Sequence, residues 1–197
     1  AASDVYKRQV EIITESWLEE MLQLCQQKDV GMAGAKLYYP DDTIQHAGVV
    51  VGLGGVAAHV LCKLPRDAEG YMGRLRCVQE ISAVTAACMM VKTSVFKAVG
   101  GFDEELKVAF NDIDLCMKVR KYGVKIVFTP YAELYHYESK SRGMEDTPEK
   151  QLRFSREVNC FRRKWERELL KGDPYYNPNL TLNNTDCSLR KQEKNGD

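Results

Sequence analysis

The stretch that decides how this chain folds runs Gly100-Gly-Phe-Asp-Glu-Glu-Leu-Lys-Val-Ala-Phe-Asn-Asp-Ile-Asp-Leu-Cys-Met-Lys-Val-Arg-Lys-Tyr-Gly123. Ile113, Cys116, Met117 and Val119 recur at helical spacing, which predicts a helix over residues 111–122 with one buried side. Gly123 is a natural residue to follow its last turn, and Gly100-Gly101 stops a shorter helix over 93–99. Asp112 and Asp114 fall in the first turn, where exposed N–H groups and the helix dipole favour a carboxylate. Two residues apart on a helix, they point in different directions and cannot both serve one reacting atom. Helix capping is one reading of the pair; a general base is the other.

Outward from this helix, extended and helical runs alternate. Ser16 with Glu19 forms a capping-box pattern before a helix over 16–28. Residues 30–39 read as a strand closed by Pro40-Asp41-Asp42, 44–51 as a second extended run, and 78–91 as a buried strand. Short strands over 125–129 and 132–136 flank Pro130. Thr147-Pro148-Glu149 starts a helix, with Thr at the N-cap and Pro at the first helical position, that ends before Gly172. Beyond Asn183 the composition is polar, and the pattern predicts a disordered tail. Strands alternating with helices indicate an α/β layer architecture.

The 28 Lys and Arg balance the 28 Asp and Glu, which argues against a nucleic-acid partner, since phosphate neutralisation calls for a basic surplus. No segment reaches the roughly 18 apolar residues of a membrane span; the nearest, 47–62, carries His59 and four glycines. The seven cysteines are scattered without a Cys-x-x-Cys pair, so zinc ribbons and thioredoxin-type chemistry have no support, and reduced thiols are expected.

A second informative stretch is Pro130-Tyr-Ala-Glu-Leu-Tyr-His-Tyr-Glu-Ser-Lys-Ser-Arg-Gly143. A histidine at a strand end is commonly structural. Ser139, Ser141 and Arg142 beside His136, however, suit an anionic oxygen or a metal-bound phosphate. His46 and His59 follow no ligand spacing with His136, and are read as structural or at most as acceptor-pocket residues.

Together these stretches resemble the family 2 glycosyltransferases. The resemblance rests on the order Val84-Thr-Ala-Ala-Cys-Met-Met-Val, then Gly-Gly-Phe-Asp-Glu, then Phe-Asn-Asp-Ile-Asp-Leu-Cys, then His136, and takes in Val30-Gly-Met-Ala-Gly-Ala-Lys-Leu-Tyr-Tyr-Pro and Ile44-Gln-His-Ala-Gly-Val-Val. Asp-Pro-Tyr-Tyr-Asn-Pro-Asn-Leu near the end is similar to bacterial members that build surface polysaccharides. The resemblance implies the C-terminal, acceptor-side part of a GT-A fold: an α/β mixed sheet flanked by helices, with a long C-terminal helix. It implies a nucleotide-diphosphate-sugar donor, a glycan or lipid-linked acceptor and transfer with inversion, in the cytoplasm or peripherally at the inner face of the plasma membrane.

By position, Asp112 matches the base that deprotonates the acceptor hydroxyl, with Asn111 standing where a glutamate is commoner. His136 matches a histidine that helps hold a divalent cation, Mg²⁺ or Mn²⁺, or the donor diphosphate. Thr85 and Ala86 fall in a segment that lines the sugar pocket. Asn111 and Asp114 are assigned to substrate binding, and Ser139, Ser141 and Arg142 to the diphosphate.

Residues 1–9 match nothing in the family and read as a foreign junction. Residues 10–146 correspond to a partial GT-A domain, 147–182 to the C-terminal helix and extension, and 183–197 to the tail. The expectation is a chain whose nucleotide-binding half lies elsewhere, and which alone binds a nucleotide sugar poorly. Two other classes fit the residues: a non-catalytic carbohydrate-binding or scaffolding protein, and a membrane-surface module built on the basic helix after Thr147.

Overall fold

A computed structural model of the chain describes residues 10–137 and 147–191. In chain order its elements are β1 (Val10–Ile12), α1 (Trp17–Cys25), β2 (Val30–Tyr38), β3 (Ile44–His46), β4 (Val49–Val51), β5 (Ala57–His59), β6 (Gln79–Glu80), β7 (Met89–Val91), α2 (Thr93–Ala98), α3 (Asn111–Lys121), β8 (Lys125–His136), α4 (Pro148–Lys164) and α5 (Glu166–Lys171). Every residue of β2 is buried, as befits a central strand covered on both faces. It runs parallel to β8 and antiparallel to β3 and β7, while β1 and β6 pair with β8, making a six-stranded mixed sheet. A separate two-stranded ribbon joins β4 to β5.

One face of the sheet carries Ala33, Ala35 and Leu37 against Met21, Leu24 and Cys25 of α1. The other packs Met32, Ile126 and Phe128 against α3 and α4, with Leu115, Phe161 and Trp165 in a larger core. This is the helix-flanked mixed sheet that the resemblance implied. All seven cysteines are free thiols. Among the described residues no helix is long and apolar enough to cross a membrane.

Several local expectations change. The Ser16 side chain makes no cap bond, and α1 spans Trp17–Cys25 instead of 16–28. The run 44–51 is broken at Gly48, whose φ of +103° turns the chain between β3 and β4. The run 78–91 is not one strand: its ends pair with the sheet as β6 and β7, and between them residues 81–88 cross over β2, with Ala83 bridging Val49. Gly34 permits that crossing, since a Cβ there would stand 2.2 Å from Val84 Cγ1. The two short strands around Pro130 merge into β8. Opposite Gly34–Lys36, β8 runs from Phe128 to Glu133, so residues 129–132 bulge out against Ala35 alone, which accommodates a proline without an N–H.

The helix after Thr147 starts as expected, with Thr147 Oγ1 accepting from Lys150 N at 3.3 Å, but it breaks at Trp165 into α4 and α5. Its basic residues turn partly inward: Arg162 Nε donates to Gly55 O at 3.2 Å, and Lys164 pairs with Asp103 and Asp114. Residues 183–191, expected within a disordered tail, instead return to the body. Cys187 is buried, and Leu180 bridges Leu189.

Candidate active site

The entry to α3 is held from two sides. Glu157 of α4 is buried, and its carboxylate accepts from Lys107 N and Val108 N at 3.1 Å and Ala109 N at 2.9 Å. Three consecutive backbone donors on one carboxylate pin the loop that delivers Phe110. That residue takes a left-handed conformation (φ +62°) and packs between Phe154 and Phe161, at ring distances of 5.8 and 5.4 Å. A strained backbone at this point is tolerated because its surroundings over-determine it.

The two aspartates of the first turn then separate, as their spacing requires. Asp112 stays at the partly exposed edge. Its Oδ2 accepts from Ala86 N at 3.0 Å and its Oδ1 from Ile113 N at 2.9 Å. Asn111 sits partly buried beside it. Asp114 turns inward and is fully buried, where Trp165 Nε1 donates to it at 2.8 Å and Lys164 and Lys118 pair with it at 2.8 and 3.0 Å. The assignment of Asp114 to substrate binding is therefore corrected. Its carboxylate ties α3 to the end of α4 and is shut off from solvent.

Thr85 and Ala86 lie between Asp112 and a cluster of histidines. Ala86 N meets Asp112, and Thr85 N faces His46 Nε2 at 3.5 Å. His46 Nδ1 lies 3.3 Å from His59 Nδ1, which in turn lies 3.0 Å from Gln45 O. His136 is clasped at two points by Gln45: its Nδ1 meets Gln45 Oε1 at 2.7 Å, and its carbonyl accepts from Gln45 Nε2 at 3.2 Å. An amide oxygen only accepts, so this contact places the proton on Nδ1 and orients the ring. His59, Thr85, Gln45 and His136 line a recess of about 310 Å³. Burial pushes the His46 imidazole well below its ordinary pKa, reinforced by His59 and His136, so His46 is a neutral ring at physiological pH.

The sequence reading had set His46 and His59 apart from His136. The β4–β5 ribbon, in which Val49 pairs with His59, folds the twelve intervening residues back and closes that gap. Gln45 and Glu157 went unnoticed, since an amide in a short strand and an acid in a charged helix carry no pattern of their own. Among the described residues no group of three or more His, Cys, Asp or Glu side chains could hold a metal ion. His136 is a single oriented imidazole, which does not by itself make a cation site. Ser139, Ser141 and Arg142 lie outside the described residues.

Comparison with known proteins bears on the family of the chain. A profile described as "Glycosyltransferase like family 2" matches residues 11–157. The protein y4gI of Sinorhizobium fredii is 57% identical over 181 residues, covering 91% of this chain and 20% of that protein. "O-antigen biosynthesis protein RfbC" of Myxococcus xanthus is 38% identical over 189 residues, 95% of this chain and 14% of that protein. An "N-acetylglucosaminyl-diphospho-decaprenol L-rhamnosyltransferase" of Mycobacterium tuberculosis is 36% identical over 62 residues, 32% of this chain and 20% of the enzyme. The chain thus spans a fifth or less of the length of these curated relatives.

Proposed function

This chain belongs to the glycosyltransferase-like family 2, and from that premise we propose that it carries the acceptor-side surface of an inverting glycosyltransferase of surface-polysaccharide synthesis. The donor is a nucleotide-diphosphate sugar and the acceptor a glycan or lipid-linked sugar. The observation that supports this most directly is the placement of Asp112. Its carboxylate is fixed by two backbone N–H groups at a partly exposed edge, one peptide away from the recess lined by Thr85, His59 and His136.

A sugar hydroxyl is a weak nucleophile at neutral pH. As its oxygen attacks the anomeric carbon, Asp112 takes its proton, and the bond to the diphosphate breaks on the opposite face, which inverts the centre. The Ala86 and Ile113 amides restrict the carboxylate to one rotamer, so little entropy is lost in aiming it. Asn111, Thr85 and Ala86 would line the acceptor side, and His136, oriented by Gln45, would face the diphosphate. Mg²⁺ or Mn²⁺ would neutralise the leaving group. The described residues contribute only His136 toward such an ion, and no step above depends on it. Nucleotide sugars are charged and do not cross membranes, so the reaction belongs to the cytoplasmic side, with any membrane contact peripheral.

The test is a transfer assay on the longer protein that joins this chain to a nucleotide-binding half, with nucleotide-sugar donors and glycan or lipid-linked acceptors, the anomeric configuration of the product being read by NMR. Asp112→Asn should lower kcat by about 10² to 10⁴-fold with the melting temperature unchanged. Transfer at the wild-type rate by that variant would remove Asp112 from the chemistry. Phenotypic indifference to it in polysaccharide synthesis would favour the scaffolding reading.

A further inference from the structure

Lys36 lies near the C-terminal end of β2, in the central strand, and is only 3% exposed. Its ammonium has three protons to donate, and one of them reaches Leu75 O at 3.2 Å. The Tyr38 ring lies 5.4 Å away. The nearest acid across the sheet, Glu133, is spent elsewhere: it pairs with Arg66 Nη2 at 3.0 Å and accepts from the Tyr38 hydroxyl. Among the described residues no carboxylate stands within ion-pair distance of Lys36. A buried ammonium without a paired anion is costly and is rarely kept for stability.

Lys36 also lines a pocket of about 780 Å³, bounded by the loop after Pro40, the segment from Pro65 to Arg76 and the bulge of β8. Two guanidinium groups line the same pocket. Arg66 is engaged by Glu133 and Asp42, whereas Arg76, among the described residues, donates to a carbonyl, Asp67 O, at 2.8 Å. Burial pushes the pKa of Lys36 down, the Glu133 charge opposes this in part, and the Arg76 and Arg66 guanidinium groups lower it further. The rest of the lining is of another kind. Asp41 and Asp67 present carboxylates, and the half-exposed ring of Tyr131 and the face of Pro65 offer apolar surface. Carboxylates accept from hydroxyl groups, and a ring packs on the C–H face of a pyranose.

From this we infer that the pocket beside Lys36 is a binding subsite for an anionic sugar, a pyranose carrying a phosphate or a carboxylate, whose charge is met by Lys36 and Arg76. A bare phosphate would fill a small part of the volume, and a neutral sugar would leave the ammonium unmet. The inference deepens the glycosyltransferase reading and rests on it for the ligand being a sugar. The location supports the link. Glu133 lines this pocket and His136 the histidine recess, three residues apart on β8, or about 10 Å along the strand. Thr43 and Gln45 are divided between the two in the same way. One acceptor chain could therefore run from the anionic subsite to the recess beside Asp112.

The test is calorimetric titration with glucose 1-phosphate, methyl glucuronide, methyl glucoside and inorganic phosphate, which needs no turnover. At least one of the two anionic sugars should bind about tenfold more tightly than both methyl glucoside and inorganic phosphate, as expected for a charge-assisted contact. Which of the two prevails distinguishes phosphate from carboxylate. Lys36→Met should erase that preference without lowering the melting temperature, and Arg76→Gln, a change at the surface, should weaken it severalfold. Equal binding of charged and neutral sugars, absence of binding, or a preference undiminished in Lys36→Met or in Arg76→Gln would each overturn the subsite. Anionic-sugar binding without any transfer by this chain joined to a nucleotide-binding half would count against the glycosyltransferase reading alone, and transfer without the preference would count against the subsite alone.

Discussion

At the junction of α3 with α4, Asp114 is fully buried against Trp165, Lys164 and Lys118. Beside β2, Lys36 is almost as deeply buried and reaches one backbone carbonyl. In the first region each charge meets an opposite charge or backbone donors: Glu157 takes three backbone N–H groups, Lys164 joins Asp103 to Asp114, and Lys118 faces the other Asp114 oxygen. The second region leaves donor capacity turned toward a pocket. Saturated polar networks fix geometry, whereas unsaturated ones wait for a partner. Removing a group should therefore hurt stability in the first region and binding in the second.

The largest effect is expected at Asp114. Asp114→Ala leaves Lys164 and Lys118 facing each other near a buried indole N–H, and should cost about 3 to 5 kcal/mol in urea denaturation. A loss below about 1 kcal/mol would mean that the junction is not the closed network described. Next comes Glu157→Gln, which replaces one of the two accepting oxygens by an NH₂ and leaves at least one of the three backbone donors without an acceptor. It should cost about 2 kcal/mol and accelerate amide exchange at Lys107, Val108 and Ala109 above the rest of the chain.

His46 stands between the two regimes, buried and satisfied only as a neutral ring. Its folded-state pKa lies below the ordinary 6.5, so below that pH the unfolded chain binds the extra proton. Stability is therefore full above pH 6.5 and should fall on acidification, by up to about 1.4 kcal/mol per pH unit, until the folded ring itself protonates. His46→Gln should flatten this slope between pH 6.5 and 5, and an unchanged slope would assign it to other groups. The smallest effect on stability is expected at Lys36: Lys36→Met should leave it unchanged or raise it by about 1 kcal/mol. A marked loss of stability would place Lys36 with Asp114, as architecture.

Much of this contrast is invisible along the chain. Asp112 and Asp114 carry the same side chain two positions apart. Helical geometry foretells that they diverge, but which one faces solvent depends on where Trp165 arrives, fifty-one residues later. Likewise Lys36 reads as the polar end of a strand until the bulge of β8 sets Glu133 opposite it and Arg66 claims that carboxylate.

What the residues determined by themselves is the local and periodic part: the α/β alternation, the helix opened at Asn111, the N-cap at Thr147, and the motif order that carries the family. These follow from spacing, capping and turn chemistry, which act within a few residues. Only the tertiary structure decided the rest. The division of the 78–91 run, the passage of one strand through Pro130, the meeting of His46, His59 and His136 around Gln45, and the clamp of Glu157 on residues 107–109 all depend on contacts between distant segments. Burial and pairing are properties of what surrounds a side chain, and those surroundings exist only once the sheet and its helices have closed.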